Sequence, residues 1–341
     1  LNRMHLKIGG ALILAVIFGQ ATATDASHAT TPQRMPDSYA HAAKLIDLGH
    51  GRHLNLRCSG DGPQTVMLEA GAIADSSTWF KVQPLLSAHT RVCAYDRAGL
   101  GFSSEGPLPR DLDADVSDLH ALIQRGGLTT PLVMVGHSLG SNIVRLYASR
   151  YPTDVSAMVL LDPPAQAIGR FAPGWQKDED TLSVQRFAFL RRCEAAAEKH
   201  ELPSTDPALS QCLGEADPLA SANLNRVNLA LMSKPAYWHT VLSVLRNNVE
   251  VFKQPVSKQE THGSTPLIVL SAANTYADAL PRDRKGLEEA RAHTQAQIVA
   301  TSSRGTLVHV PDTSHDIQID RPDVVAKAVM RALGIAQHTP K

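Results

Sequence analysis
Apolar positions along this chain gather into short runs separated by longer stretches with a helical repeat. The runs at 65–69 (TVMLE), 90–95 (TRVCAY), 131–135 (PLVMV), 157–161 (AMVLL), 266–271 (PLIVLS) and 305–310 (GTLVHV) are largely apolar throughout rather than on alternate positions. That is the pattern of strands covered on both faces, as in a parallel sheet. Ahead of them, 44–48 and 52–57 alternate about a Gly-containing turn and predict a hairpin. Between the runs, 79–86, 111–125, 285–300 and 322–333 read as helices. In 111–125 the period is carried by Leu112, Val116, Leu119, Leu122 and Ile123, and Pro322 opens the last helix, where proline is tolerated. Strands alternating with helices predict an α/β domain, with a mostly parallel sheet and helices on both faces.

After residue 162 the alternation stops. Strand-like runs are few up to 262, and helical periods occupy 181–199, 224–232 and 238–251. A helical insertion at 165–262 therefore divides the core into 41–164 and 263–341. Residues 24–40, polar and irregular with Pro32 and Pro36, read as a linker.

The first residues have a different character. Arg3 and Lys7 precede an apolar run at 8–19, and Ala21-Thr22-Ala23 offers a small-residue cleavage site. This three-part layout predicts a secretory leader at 1–23, with an uncleaved membrane anchor as the alternative. The run is short for a bilayer, so no stable span is expected once the leader is removed. Export places Cys58, Cys93, Cys193 and Cys212 in an oxidising compartment, where three pairings are open to them. With Lys+Arg and Asp+Glu equal at 33 each and no basic stripe, nucleic acid is not an expected partner. No metal motif of the HExxH, paired CxxC or EF-hand kind is present, and no cofactor is expected.

The chemistry gathers at Gly136-His137-Ser138-Leu139-Gly140, between the strand at 131–135 and a helical stretch. Glycines on either side let the chain turn sharply, so that Ser138 projects from the sheet as a nucleophile elbow. The helix that follows aims free N–H groups at the space beside the hydroxyl.

Several stretches together resemble the α/β-hydrolase superfamily, in particular its lid-bearing serine esterase-like members. They are GHSLG at 136–140, YDRAGLGFS at 95–103, LEAG at 68–71 followed by Trp79, VLLDP at 159–163 and SHDIQIDRPDVV at 314–325. The resemblance implies an eight-stranded sheet with a helical lid leaving it after the sixth strand. It implies His315 as the base for Ser138. It implies Asp162, at the end of the strand at 157–161, as the orienting acid, with Asp278 as the alternative, which follows the strand at 266–271 later than expected, with Asn274 nearer. It places the oxyanion donors at Leu139 and Ala72, with Ile73 second to Ala72, and lets Gly71 bring the backbone close to substrate. His137 adjoins the nucleophile and either packs beside the elbow or lines the substrate site with Gly71 and Ile73. In such a sheet the second strand neighbours the fourth, which implies Cys58 with Cys93 and leaves Cys193 with Cys212 inside the lid. Asp96-Arg97 reads as a structural turn with a buried ion pair. Phe171, Trp175, Phe187, Phe189, Trp238 and Phe252 are candidates to wall an apolar acyl pocket.

The expected activity is that of an exported serine hydrolase acting on a small-molecule carboxylic ester through an acyl-enzyme. Amide, thioester or C–C bond cleavage on the same residues is the alternative within enzymes. A non-catalytic binding protein on the same scaffold is the alternative outside them.

Overall fold
The computed structural model describes residues 33–335. The expected leader at 1–23 and the first part of the expected linker lie outside the described residues. Eight strands form one sheet: β1 (Lys44–Gly49), β2 (Arg52–Ser59), β3 (Thr65–Glu69), β4 (Arg91–Tyr95), β5 (Leu132–His137), β6 (Val155–Leu161), β7 (Leu267–Ala272) and β8 (Gly305–Val310). Their order is β1-β2-β4-β3-β5-β6-β7-β8. β1 pairs with β2 and β2 with β4 antiparallel, and all other pairs are parallel. Every residue of β3, β5 and β7 is buried, which is why these strands carry unbroken apolar runs.

The α-helices among the described residues are α1 (Val82–Ser87), α2 (Leu112–Gly126), α3 (Leu139–Arg150), α4 (Pro173–Glu198), α5 (Ala222–Met232), α6 (Pro235–Lys253), α7 (Pro281–Ala300), α8 (Ile317–Asp320) and α9 (Pro322–Ala332). Val116, Leu119 and Leu122 of α2 pack with Ile143, Val144 and Tyr147 of α3 on one face of the sheet. Val82 and Leu86 of α1 pack with Val325 and Val329 of α9 on the other. The start of α2 is set by Asp111, whose carboxylate accepts from the Ala114 N–H at 2.8 Å, and its end by Gly127 in the left-handed region.

Three helices, α4 to α6, stand between β6 and β7. α4 begins eight residues before its sequence period is visible, because the polar stretch QKDEDT at 176–181 conceals the turn that starts at Pro173 and buries Trp175. Residues 33–40 also depart from a linker. Met35, Tyr39 and Ala40 pack on Phe80, Ala220 and Leu224, and Ser221 donates to Asp37 at 2.5 Å. Disulfides join Cys58 to Cys93, directly opposite across the β2–β4 pair, and Cys193 to Cys212. No helix among the described residues is long and apolar enough to cross a membrane.

Candidate active site
β4 lies on one side of β3 and β5 on the other, so the strand order reverses here. In open α/β sheets the crevice beyond the C-terminal ends of the strands at such a reversal is where ligands bind. The loop after β3 and the turn after β5 meet at that point. Ser138 occupies the turn at φ 52° and ψ −123°, a conformation L-residues rarely adopt. A Cβ on Gly136 would lie 2.5 Å from the Gly140 carbonyl oxygen, and one on Gly140 would lie 2.5 Å from that of Glu69. Both positions therefore require glycine for the serine to be held where it is. α3 starts at Leu139, so its N–H has no acceptor within the helix.

Across from the turn, the loop after β3 is gripped from behind by Arg97, which is 3 % exposed. Its guanidinium donates to the carbonyls of Ala70 (2.8 Å), Gly71 and Ala72 (2.7 Å) and pairs with Glu69 at 2.5 Å. In a planar trans peptide the following N–H points the opposite way, so the amides of Gly71, Ala72 and Ile73 turn away from Arg97. A Cβ on Gly71 would stand 3.6 Å from Ser138 Cβ, which places this loop against the serine. The ion pair expected at Asp96-Arg97 thus has Glu69 as its nearest acid, with Asp115 Oδ2 at 3.8 Å from Nε as a second. Asp96 instead accepts from Asn55 Nδ2, the Ser76 N–H and the Phe102 N–H, holding the turn itself.

β6 runs beside β5, and the Ser138 N–H donates to the Leu161 carbonyl at 2.9 Å. The next residue is Asp162, fully buried and itself at φ 41°. Its Oδ2 accepts from His315 Nδ1 at 2.7 Å and from Thr275 Oγ1 at 2.6 Å. Its Oδ1 accepts from Arg291 Nη1 at 2.9 Å, Gln295 Nε2 at 3.0 Å and the Ala272 N–H at 3.3 Å. Burial by itself would raise the Asp162 pKa. The hydrogen bond and charge of His315, the Arg291 charge and the Thr275 hydroxyl outweigh it and hold the carboxyl at about 2. Burial also opposes charge on His315, yet the hydrogen bond and charge of Asp162 leave its pKa raised. Asp278 is exposed on the turn after β7. From that same turn, the Asn274 N–H donates to the Thr313 carbonyl at 2.9 Å, tying it to the His315 loop.

His137 packs beside the elbow, where a Cβ on Gly71 would stand 3.1 Å from its Nδ1. It is 5 % exposed, its Nε2 meets the His315 carbonyl oxygen at 3.0 Å, and its Nδ1 faces Gln318 Nε2 at 3.4 Å. Burial first, and then the His315 charge, lower its pKa to about 4. It stays neutral and donates from Nε2 to brace the His315 loop. Ile73 packs against the cluster built from α4 and α6. Of the six aromatics read as pocket walls, Trp175, Trp238 and Phe252 are buried in packed cores, while Phe171, Phe187 and Phe189 keep partial exposure. Amphipathic helices pack their apolar faces first, so an aromatic period does not separate core from pocket. Arg291, Gln295 and Thr275 were not legible as site residues, because each stands more than 100 positions from Asp162 and belongs to no local motif. No cluster of metal-ligating side chains occurs among the described residues.

A family model described as "Alpha/beta hydrolase family" matches residues 66–328, well over half of the chain. The uncharacterized protein YqjL of Bacillus subtilis (strain 168) is 23 % identical over 273 residues, covering 79 % of this chain and 83 % of that protein. Human monoacylglycerol lipase ABHD6 is 28 % identical over 156 residues, 45 % of this chain and 43 % of that protein. Among solved structures, a thermophilic esterase from Thermogutta terrifontis superposes with a TM-score of 0.53 at 18 % identity, covering 86 % of this chain and 98 % of that one. At such identity the likeness is one of fold.

Proposed function
The chain belongs to the alpha/beta hydrolase family, and on that premise we propose that it is an exported serine hydrolase that cleaves a small-molecule carboxylic ester through an acyl-enzyme. The observation that carries the reading is the 2.7 Å contact from His315 Nδ1 to a buried, ionised Asp162, at the end of the strand beside the strained Ser138. With Nδ1–H donated to the carboxylate, His315 Nε2 is left as the base. It takes the Ser138 proton as Oγ attacks the ester carbonyl, and Asp162 stabilises the imidazolium that forms. Negative charge on the carbonyl oxygen falls to the N–H groups of Leu139 and Ala72, with Ile73 on the same loop the alternative to Ala72. The imidazolium then protonates the leaving alcohol, and water repeats the sequence to release the acid.

Ester chemistry is favoured by the serine itself, since an aspartate at the elbow would suit dehalogenation or epoxide opening. The name of the ABHD6 relative, a monoacylglycerol lipase, points to the same class of bond. Residues 165–262 would act as a lid, with Phe171, Phe187 and Phe189 towards the acyl chain. Two disulfides support an oxidising compartment, in keeping with the leader read at 1–23.

A fluorophosphonate probe followed by peptide mapping tests the nucleophile, and p-nitrophenyl esters of graded chain length alongside amide analogues test the bond. A Ser138 adduct with ester turnover supports the proposal. No adduct would favour a binding protein on a hydrolase scaffold. Because His315 must be neutral to act and its pKa is raised, kcat/KM should fall as pH drops through a midpoint above about 6.5.

A further inference from the structure
Asp162 receives more than an orienting acid requires. The hydroxyl of Thr275, the amide of Gln295 and the N–H of Ala272 supply neutral donors, and His315 supplies the one it must hold. Arg291 is added to these, a full positive charge on Oδ1 at 2.9 Å from a side chain only 9 % exposed. Its fork cannot swing freely. Nη1 also donates to Ser271 Oγ at 3.0 Å and to the Ala272 carbonyl at 2.8 Å, at the end of β7. Nε and Nη2 both bond Glu288 Oε2, at 3.1 and 2.5 Å, one turn earlier on α7. A guanidinium bound at this many points is itself held still, and it pins the one carboxylate oxygen, Oδ1, that it touches while His315 and Thr275 hold Oδ2. It also stands one carboxylate away from the imidazole that must become positive during turnover.

We propose that Arg291 is a positioning residue of this site: its guanidinium locks the rotation of the Asp162 carboxylate and, by its charge, sets how readily His315 takes a proton. The inference rests on the reading of Ser138, His315 and Asp162 as the reacting group. Facing His315 are Asp162 from β6, Asp316 from its own loop and His137 from β5, whose ring is 4.7 Å away. Facing Arg291 are Asp162, Glu288 and the buried Tyr276 in the turn after β7. Asp162 and Asp316 favour the imidazolium, and Arg291 opposes it. His137 is neutral at working pH. Glu288 partly offsets the Arg291 charge, so removing either partner should move His315 in opposite directions.

The test is the His315 titration, read from its ring NMR signal in the full chain and assigned with His315→Gln. Arg291→Met should raise the midpoint by about one pH unit, and Arg291→Lys, which restores charge without the fork, should return most of it. Glu288→Gln should lower it by a few tenths. On a p-nitrophenyl ester the acid limb of kcat/KM should move in step, and kcat on the plateau should fall on the order of tenfold in Arg291→Met as the carboxylate loosens. A folded Arg291→Met with the wild-type midpoint, or a shift downward, overturns the proposal. Should Arg291→Met not fold, Glu288→Gln and Arg291→Lys carry the test: a lower midpoint in Glu288→Gln beside a near-wild-type one in Arg291→Lys supports it, and an unmoved Glu288→Gln overturns it. Wild-type protein that neither hydrolyses esters nor takes the probe would sink the relay reading instead. The NMR midpoints would still decide whether Arg291 is coupled to His315.

Discussion

Ser138 and Asp162 stand at the ends of neighbouring strands and both have a positive φ, 52° and 41°, yet they are held by contacts of different range. The serine's conformation is secured within five residues at Gly136, which fits against the start of α3, and at one distant point, where Gly140 fits against the Glu69 carbonyl at the end of β3. The aspartate's carboxylate is secured by groups from β7, the turn after it, α7 and the His315 loop, 110 to 153 positions away. A short-range device works wherever the strand–turn–helix forms. A long-range one exists only after the sheet has closed around it. Strain at the serine is thus in good part a local property of the chain, whereas ionisation of the buried aspartate is a property of the whole fold.

Experiments can break this contrast, and the largest effect belongs to Ser138→Ala, which should lower kcat on the order of 10⁶-fold with melting unchanged. Preserved ester turnover would remove the local half of the comparison altogether. Next, Asp162→Asn should cost about 10⁴-fold in kcat, since the imidazole loses its tautomer and its counter-charge. Asp278→Asn, at an exposed position, should leave kcat near wild type, and the reverse outcome would relocate the acid. Gly140→Ala should destabilise by about 3 kcal/mol in denaturant titration, because a Cβ 2.5 Å from the Glu69 carbonyl forces backbone to move. A change under about 0.5 kcal/mol would mean that the elbow is looser than its geometry implies. The smallest effect is expected from Thr275→Val, which removes one of several donors to Asp162. Roughly 1.5 kcal/mol, or about a tenfold loss of kcat, follows from one hydrogen bond to a charged group. A loss as large as that of Asp162→Asn would mean that the cradle acts as a single unit.

Much of the fold was legible, because a two-sided sheet imposes its own composition. Each of the six apolar runs corresponds to a strand, and the helices between them lie where the period places them to within four residues, α1 starting at Val82 rather than 79 and α7 at Pro281 rather than 285. The exceptions have physical causes. The start of α4 was hidden by charged residues on its solvent side, and the packing of Met35 and Tyr39 was hidden by prolines and polar neighbours. In the site, GHSLG is readable because the strand–turn–helix pattern is local, Gly136 fitting against the start of α3, although Gly140 is required by the approach of β3. The buried Trp175, Trp238 and Phe252 could not be separated from pocket-facing aromatics, because burial in a helical cluster and exposure to a pocket produce the same spacing.

By itself, the amino-acid sequence determined the strand–turn–helix at Ser138, the α/β alternation and the place where the alternation stops. These depend on backbone sterics and on apolar burial repeated over short windows. Only the tertiary structure decided which carboxylate meets His315, which acid pairs with Arg97, where His137 turns, and that Arg291 shares Asp162 with the histidine. Electrostatic partnership depends on distance and on exclusion of water, and neither exists for residues so far apart until the sheet has assembled.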